Sequence, residues 1–303
     1  VVLPSHPTNT SLLELHLLGI PGLEHLHSWI SIPFFILYLI TLLANTTLLY
    51  LIKAEPDLHH PMFFFLAMLA LVDLLMSTSI TPKMLSIFWF NSTSISLQAC
   101  VAQMFLLHSC TALESGLLVA MALDRYVAIC NPLRYPSILT STRVVAMGLA
   151  TLLRAVFFMA PVTLQVLHLP FCSPSAQLGH SYCEHLAVLS LACGDVTFSS
   201  TYSLSISTYV VTFDSFLILL SYLLILRAVL GLSSSPAAQH KAFSTCTSHL
   251  FLMLLFYIPG LLSISMDQEL PPHTQVLLAN VYVLIPPAFN PLIYGIRTKQ
   301  IRD

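Results

Sequence analysis

Seven stretches of this chain are each apolar and long enough to cross a lipid bilayer, which constrains the fold more than any other feature. A helix needs about 20 residues to span a hydrocarbon core about 30 Å thick. Trp29–Ile52, Met62–Ile87, Gln98–Val127, Val144–Val166, Ser200–Val229, Phe243–Ser265 and Thr274–Ile296 all reach that length. Composition agrees: 56% of residues are hydrophobic, only 8% are charged and the mean hydropathy is +0.85, whereas about a quarter of a soluble domain is charged. The expectation is an all-α membrane protein, a seven-transmembrane helix bundle. Its parts are an extracellular N-terminal segment (1–28), the bundle (29–296) and the start of a cytoplasmic tail (297–303). The longest connector runs from about Leu167 to Ser199, and there is no internal repeat or low-complexity tract.

Basic residues orient such a bundle, because Lys and Arg concentrate on the cytoplasmic side. With the N-terminus outside, Lys53, Arg125, Arg134, Arg143, Arg227, Lys241, Arg297, Lys299 and Arg302 all fall inside, and the external loops carry none. Lys83 sits near the outer end of helix 2, where its stem can snorkel, and Arg154 lies in the middle of helix 4. The net charge of -2 says nothing about orientation. No basic stretch followed by an apolar core and a small-residue cleavage site opens the chain, so the first helix is expected to do the targeting. The sequons at Asn9 and Asn91 fall outside under this topology and are expected to carry glycans, while the one at Asn45 lies within helix 1 and is discounted. The missing initiator Met and the end seven residues past Ile296 point to trimmed ends or to an artificial sequence.

The seven cysteines divide the same way. Cys100, Cys172, Cys183 and Cys193 lie on the oxidising side, where disulfides form and four cysteines allow three pairings. Cys110, Cys130 and Cys246 lie in the membrane or near the cytosol and are expected to stay reduced as small packing residues. At the cytoplasmic end of helix 3 the chain reads MALDRYVAICNPLRY, so Asp124 can pair with Arg125 and restrain it. Such a pair is bistable: outward motion of a neighbouring helix can exchange the partner of Arg125 and open a cytoplasmic cleft.

Four strings together carry a resemblance. They are MALDRYVAIC (Met121–Cys130), His60–Leu66 opening helix 2, Lys241–His249 opening helix 6, and Pro286–Tyr294 in helix 7. In that order and at those membrane depths the chain, from about Gly19 to Asp303, closely resembles the olfactory receptors of the rhodopsin-like G-protein-coupled class. Gly19–Glu24 and His180–Cys183 look like the class I, or fish-like, branch. Leu123, Phe63 and Ala44 depart from the family's usual residues, mildly and without loss of apolar character.

The resemblance implies a receptor, not an enzyme, at the plasma membrane of olfactory cilia, with an odorant outside and a stimulatory heterotrimeric G protein inside, raising cyclic AMP. It implies the bridges Cys100–Cys183 and Cys172–Cys193. It also implies a switch made of Asp124, Arg125, Tyr126, Tyr222, Lys241, His249 and Tyr294, with Tyr294 swinging toward Arg125 or Tyr222 about a hinge. Pro286, Pro287 and Pro291 remove three backbone donors and distort helix 7, which supplies that hinge. Three acids lie within the membrane, where an unpaired charge costs at least about 2.5–3.5 kcal/mol. Asp73 and Glu114, joined by family analogy with Asn45 and Asn290, are expected to hold a sodium ion, and no other cofactor is expected. Asp214 and Arg154 are read as polar groups satisfied within the bundle.

The expected ligand cavity lies between helices 3, 5 and 6 in their outer half. His108, Thr111 and Ala112 share one face of helix 3, and Ser203 and Ser207 share one of helix 5. Tyr257, Leu261, Ile264 and Gln268 form a stripe on helix 6, and His185 is held over the mouth if the family bridge forms. Class I members tend to prefer short acids, alcohols and aldehydes. From Leu250 to Asn290 there is no Lys or Arg, and Asp267 and Glu269 oppose an anion, so a small polar ligand that need not be anionic is expected. A non-olfactory chemosensory receptor is the nearest alternative. A transporter would show repeated halves, and motifs of intramembrane hydrolases or proteases are absent. Lipid is the remaining partner, and nucleic acid is not one.

Overall fold

A computed structural model describes residues 14–173, 175–231, 247, 250–251, 253–258 and 270–297. The long helices are α1 (His27–Ala54), α2 (Pro61–Phe90), α3 (Leu97–Cys130), α5 (Ser141–Leu164), α7 (Thr197–Gly231) and α9 (Pro272–Arg297). Two short helices, α4 (Tyr135–Ile138) and α6 (His185–Leu189), lie in connectors, and α8 is the helical segment 253–258. Six of these elements are long and apolar enough to cross a membrane among the described residues. The expected stretch Phe243–Ser265 is helical at 253–258.

Local chemistry sets the ends. Pro61, which has no N–H to leave unpaired, opens α2. The Ser96 hydroxyl caps α3 by accepting from Ala99 N at 3.3 Å, and Thr140 caps α5 by accepting from Arg143 N at 3.4 Å. Asn91 ends α2 in the left-handed region at φ 53°. Helix boundaries differ from the expected spans by a few residues, because capping lies outside what hydropathy reports.

Helix α3 is the most deeply buried and packs against α2, α5 and α7, while α1 packs against α2 and α9. Bulky residues of α2 such as Phe63, Phe65, Leu69 and Met76 fill the centre with Leu117 and Met121 of α3. Broad apolar surface elsewhere, including Trp29, Leu43, Phe157 and Phe216, stays exposed as a lipid-facing helix requires.

A small sheet covers one end of the bundle. β1 (Glu14–Leu17) lies between β2 (Ser94–Ser96), antiparallel, and β3 (Ser175–Leu178), parallel, with Leu15 opposite Ile95 and Ala176. The period of two turns Leu15 and Leu17 inward, both fully buried, against Phe88, Leu97 and Val188. Residues 14–26 are thus docked on the bundle, and α1 begins at His27. Gly19, at φ 81°, turns the chain there. A Cβ would come within 2.6 Å of the His27 ring, whose Nε2 receives the Ile20 N–H at 3.1 Å.

Candidate functional site

Beneath the sheet, a cavity of about 470 Å³ opens between α3, α5, α7, α8, α9 and the connector before α7. From α3 come His108, Thr111, Ala112 and Ser115; from α7, Ser203 and Ser207; from α8, Tyr257; from α6, His185. All seven of the expected ligand residues that are described therefore surround one space. Leu261, Ile264 and Gln268 lie outside the described residues. His180, Tyr182, Glu184, Gln275 and Tyr282 also line it, and none of these was anticipated.

The connector forms a fixed lid. Disulfides join Cys100 to Cys183 and Cys172 to Cys193. Gln103 on α3 accepts from Cys183 N at 2.9 Å and donates to Ser79 O on α2 at 2.8 Å. Ser181 donates to Asn280 Oδ1 on α9 at 2.6 Å. Glu184 caps α6 by accepting from Ala187 N at 2.7 Å. His185 Nε2 lies 3.2 Å from the Val162 carbonyl. Burial pulls the imidazole of His185 below its ordinary pKa, and that of His180 down to about 4, because the charged form loses its water.

The floor is a buried polar network. Arg154 on α5 meets Asp214 on α7 through two contacts, 2.5 Å from Nη1 to Oδ1 and 2.7 Å from Nη2 to Oδ2. Ser115 donates to Asp214 Oδ2 at 2.6 Å and lies 2.8 Å from Tyr257 OH. A serine hydroxyl has one proton, so with that proton on the carboxylate Tyr257 must be the donor to Ser115. Gly116 permits the approach, because a Cβ there would sit 2.9 Å from Arg154 Nη2. Arg154 and Asp214, expected as polar groups satisfied within the bundle, are each other's partners.

Deeper in the bundle, Asn290 Nδ2 lies 3.2 Å from both oxygens of Asp73 and 2.9 Å from Glu114 Oε1. Both acids are buried, and Glu114 Oε2 has no hydrogen-bond partner among the described residues. Asn45 is engaged differently: its Nδ2 donates to Thr41 O and Pro287 O, each at 3.0 Å. Pro291 has no N–H, so the carbonyl four residues earlier lacks its helical partner, and Asn45 supplies one. No group of three or more His, Cys, Asp or Glu side chains suited to a metal occurs among the described residues.

The opposite end carries Arg125, Arg134 and Arg143. Arg125 donates to Asp124 Oδ2 from Nε at 3.0 Å and from Nη2 at 2.8 Å. Tyr135 in α4 donates to Asp124 Oδ1 at 2.8 Å, and burial, then the adjacent carboxylate, push its phenol above the usual range. Tyr222 is buried in an apolar cluster with Leu118, Ile225, Val229 and Met253, against which Tyr126 packs. Lys241 and His249 lie outside the described residues, as does the side chain of Tyr294.

Comparison with known proteins decides the family. A family model for olfactory receptors matches residues 34–303. The human olfactory receptor 52K2 is 48% identical over 99% of this chain and 94% of its own length. Human olfactory receptor 52K1 is 47% identical over 100% and 96%, and human olfactory receptor 51E1 is 47% identical over 95% and 90%. The chain belongs to the olfactory receptor family.

An olfactory receptor is a seven-transmembrane bundle, and the six long apolar helices and α8 fit that architecture. Membership also makes this a multi-pass plasma-membrane protein, and a G-protein-coupled receptor for odorants and not an enzyme. In this olfactory receptor the sequon residue Asn91 is exposed, with the Thr93 hydroxyl 3.3 Å from His16 Nδ1. Asn9 lies outside the described residues. Lys83 does not merely snorkel: its Nζ donates to Ser92 O at 2.8 Å and to Ser94 O at 2.7 Å, tying α2 to β2.

Several residues of consequence were not singled out from sequence. Gln103, Ser181, Asn280 and Ser115 are ordinary polar residues whose partners lie 24 to 142 positions away. Tyr135 closes the MALDRYVAICNPLRY string that was read for Asp124 and Arg125, and its place 11 residues after Asp124 was the available signal.

Proposed function

We propose that the receptor binds a small polar volatile ligand in the cavity under the lid and activates a stimulatory G protein at the basic end, raising cyclic AMP. The observation that carries this is the convergence of His108, Thr111, Ala112, His185, Ser203, Ser207 and Tyr257 on one cavity of about 470 Å³. That volume suits a small organic ligand, and the mixture of apolar walls with a few polar groups is what such sites use. The basic end is then cytoplasmic and the sheet and both disulfides extracellular, as the N-terminus would be, with residues 29–296 acting as the receptor unit. Glycans at Asn9 and Asn91 and residence in olfactory cilia belong to the same reading.

Mechanism follows from linkage. Ligand and G protein each favour the same open arrangement of the bundle, so each raises the affinity for the other. Tyr257 reaches both the cavity and the Ser115–Asp214 network, which makes α8 responsive to what fills the cavity. At the far end, opening exchanges Asp124 for another partner of Arg125, with Tyr126, Tyr222, Lys241, His249 and Tyr294 completing the switch. Asp73, Glu114 and Asn290 would hold a sodium ion, since two buried carboxylates and an amide are hard oxygen donors and Glu114 Oε2 has no protein partner among the described residues. Bound there, sodium would supply positive charge beside the two buried carboxylates.

Nucleotide exchange tests the reading. An odorant panel of short acids, alcohols and aldehydes should include a compound that speeds GDP release from a stimulatory G protein in the presence of the purified receptor. Transport of labelled solute without G protein, or no exchange with any compound, would overturn it.

A further inference from the structure

We infer that the ligand of this cavity is a small organic cation, an alkylammonium, with Glu184 as its counter-charge. This rests on the cavity being the ligand site, as proposed above, and deepens it by naming the charge that the ligand carries.

Charge along the wall carries the argument. Glu184 is the one carboxylate among the described lining residues, it is only partly buried, and no Lys or Arg is among them. The Cys100–Cys183 bridge fixes the backbone beside it, and its Oε2 accepts from Ala187 N at 2.7 Å, so the side chain has a set place. A carboxylate accepts at about four sites, so capping α6 does not exhaust it, and a backbone N–H leaves its net charge standing. The floor adds no net charge, because Arg154 and Asp214 pair with each other. Burial holds the imidazoles of His180 and His185 below their ordinary pKa, so neither brings positive charge near neutral pH. A negative group in a confined, largely apolar space acts more strongly on a cation than it would in open water. An ammonium ion would meet it through charge-assisted hydrogen bonds, whereas an ionised acid would be repelled.

The rings around the cavity favour the same class. Tyr182, Tyr257 and Tyr282 all line it. Tyr182 is within electrostatic reach of Glu184: burial first, and then the Glu184 charge, hold its phenol above the usual range. Cations are drawn to the electron-rich faces of such rings, and anions are not.

Beyond the cavity, this end of the bundle is negative. Glu14, Glu24 and Asp195 are exposed here, and Asp267 and Glu269 stand in sequence just before α9, whose Pro272 lines the cavity. Against them stands Lys83, whose ammonium is engaged by the Ser92 and Ser94 carbonyls. A field of one sign concentrates small ions of the other and speeds their arrival.

The test uses the full chain purified in an uncharged detergent, with ligand-induced thermal stabilisation at pH 7 as the readout and hexylamine, 1-hexanol and hexanoate as probes. Hexylamine is protonated at that pH, as a lysine side chain is, and matches hexanol in length. The amine should bind at least about tenfold more tightly than the alcohol, and hexanoate more weakly than either. Glu184→Gln keeps an oxygen to cap α6 and removes the charge, so the amine-to-alcohol ratio should fall to near one through weaker amine binding. Glu184→Asp keeps the charge and should hold the ratio well above one, and the wild-type ratio decides the matter alone if either variant fails to fold. Equal binding of amine and alcohol, survival of the full ratio in Glu184→Gln, or tightest binding by hexanoate would overturn the proposal while leaving the cavity as the ligand site. Absence of stabilisation by every probe would overturn both.

Discussion

Arg154 and Asp214 form a two-contact ion pair between α5 and α7, 60 residues apart in sequence, with the Asp214 side chain fully buried. Taking charge out of water is repaid only when geometry is good and the remaining donors and acceptors are occupied. Ser115 and the Ala112 carbonyl occupy two of them. Removing one partner strands the other, at a cost of about 3–5 kcal/mol. Arg154→Gln and Asp214→Leu should each abolish most surface expression, and the Arg154→Met/Asp214→Leu double variant should recover part of it. Normal expression of either single variant would refute the structural weight placed on this pair.

Arg125→Ala should eliminate G-protein activation while leaving surface expression largely intact, because Arg125 lies at the membrane edge and is only partly buried. Flow cytometry and nucleotide exchange on the same cells separate the two effects.

Tyr135→Phe deletes one hydrogen bond to the Asp124 carboxylate. Bonds to charged groups contribute about 1.5–3 kcal/mol, and losing this one loosens the restraint on the switch. Basal nucleotide exchange should rise several-fold without ligand, and an unchanged basal rate would remove Tyr135 from the mechanism.

His108→Ala should alter the odorant dose response with surface expression preserved, since its Nε2 has no partner among the described residues to lose. Identical dose–response curves would take His108 out of the pocket.

His180 predicts a pH dependence of stability. Its folded-state pKa of about 4 lies below the ordinary 6.5, so on acidification the unfolded chain takes up the proton first. Stability should therefore fall as pH drops from about 6.5 to about 4, by on the order of 3 kcal/mol, and level off below. The Tyr182 ring, 4.5 Å away, offers no negative charge to offset this. Thermal denaturation of the purified receptor across that window should show the slope, and His180→Gln should reduce it, with His185 contributing part of the remainder.

Lipid made much of this fold legible in advance. A bilayer demands long apolar runs, so span existence and order could be read directly, as could the shared face of His108, Thr111 and Ala112, which follows from helical periodicity within one element. Even the Asn45 contact had a local cause in Pro291, whose missing N–H leaves the Pro287 carbonyl open.

Pairing between elements was another matter. Which polar group meets Arg154, why Gln103 faces Cys183, and that Leu15 and Leu17 enter a sheet all depend on the rotation, depth and tilt of separate segments. Hydropathy along the chain determined how many times it crosses the membrane, because that quantity sums over neighbours. Only tertiary packing decided which distant atoms come within 3 Å of one another, because a hydrogen bond depends on position in space and not on distance along the chain.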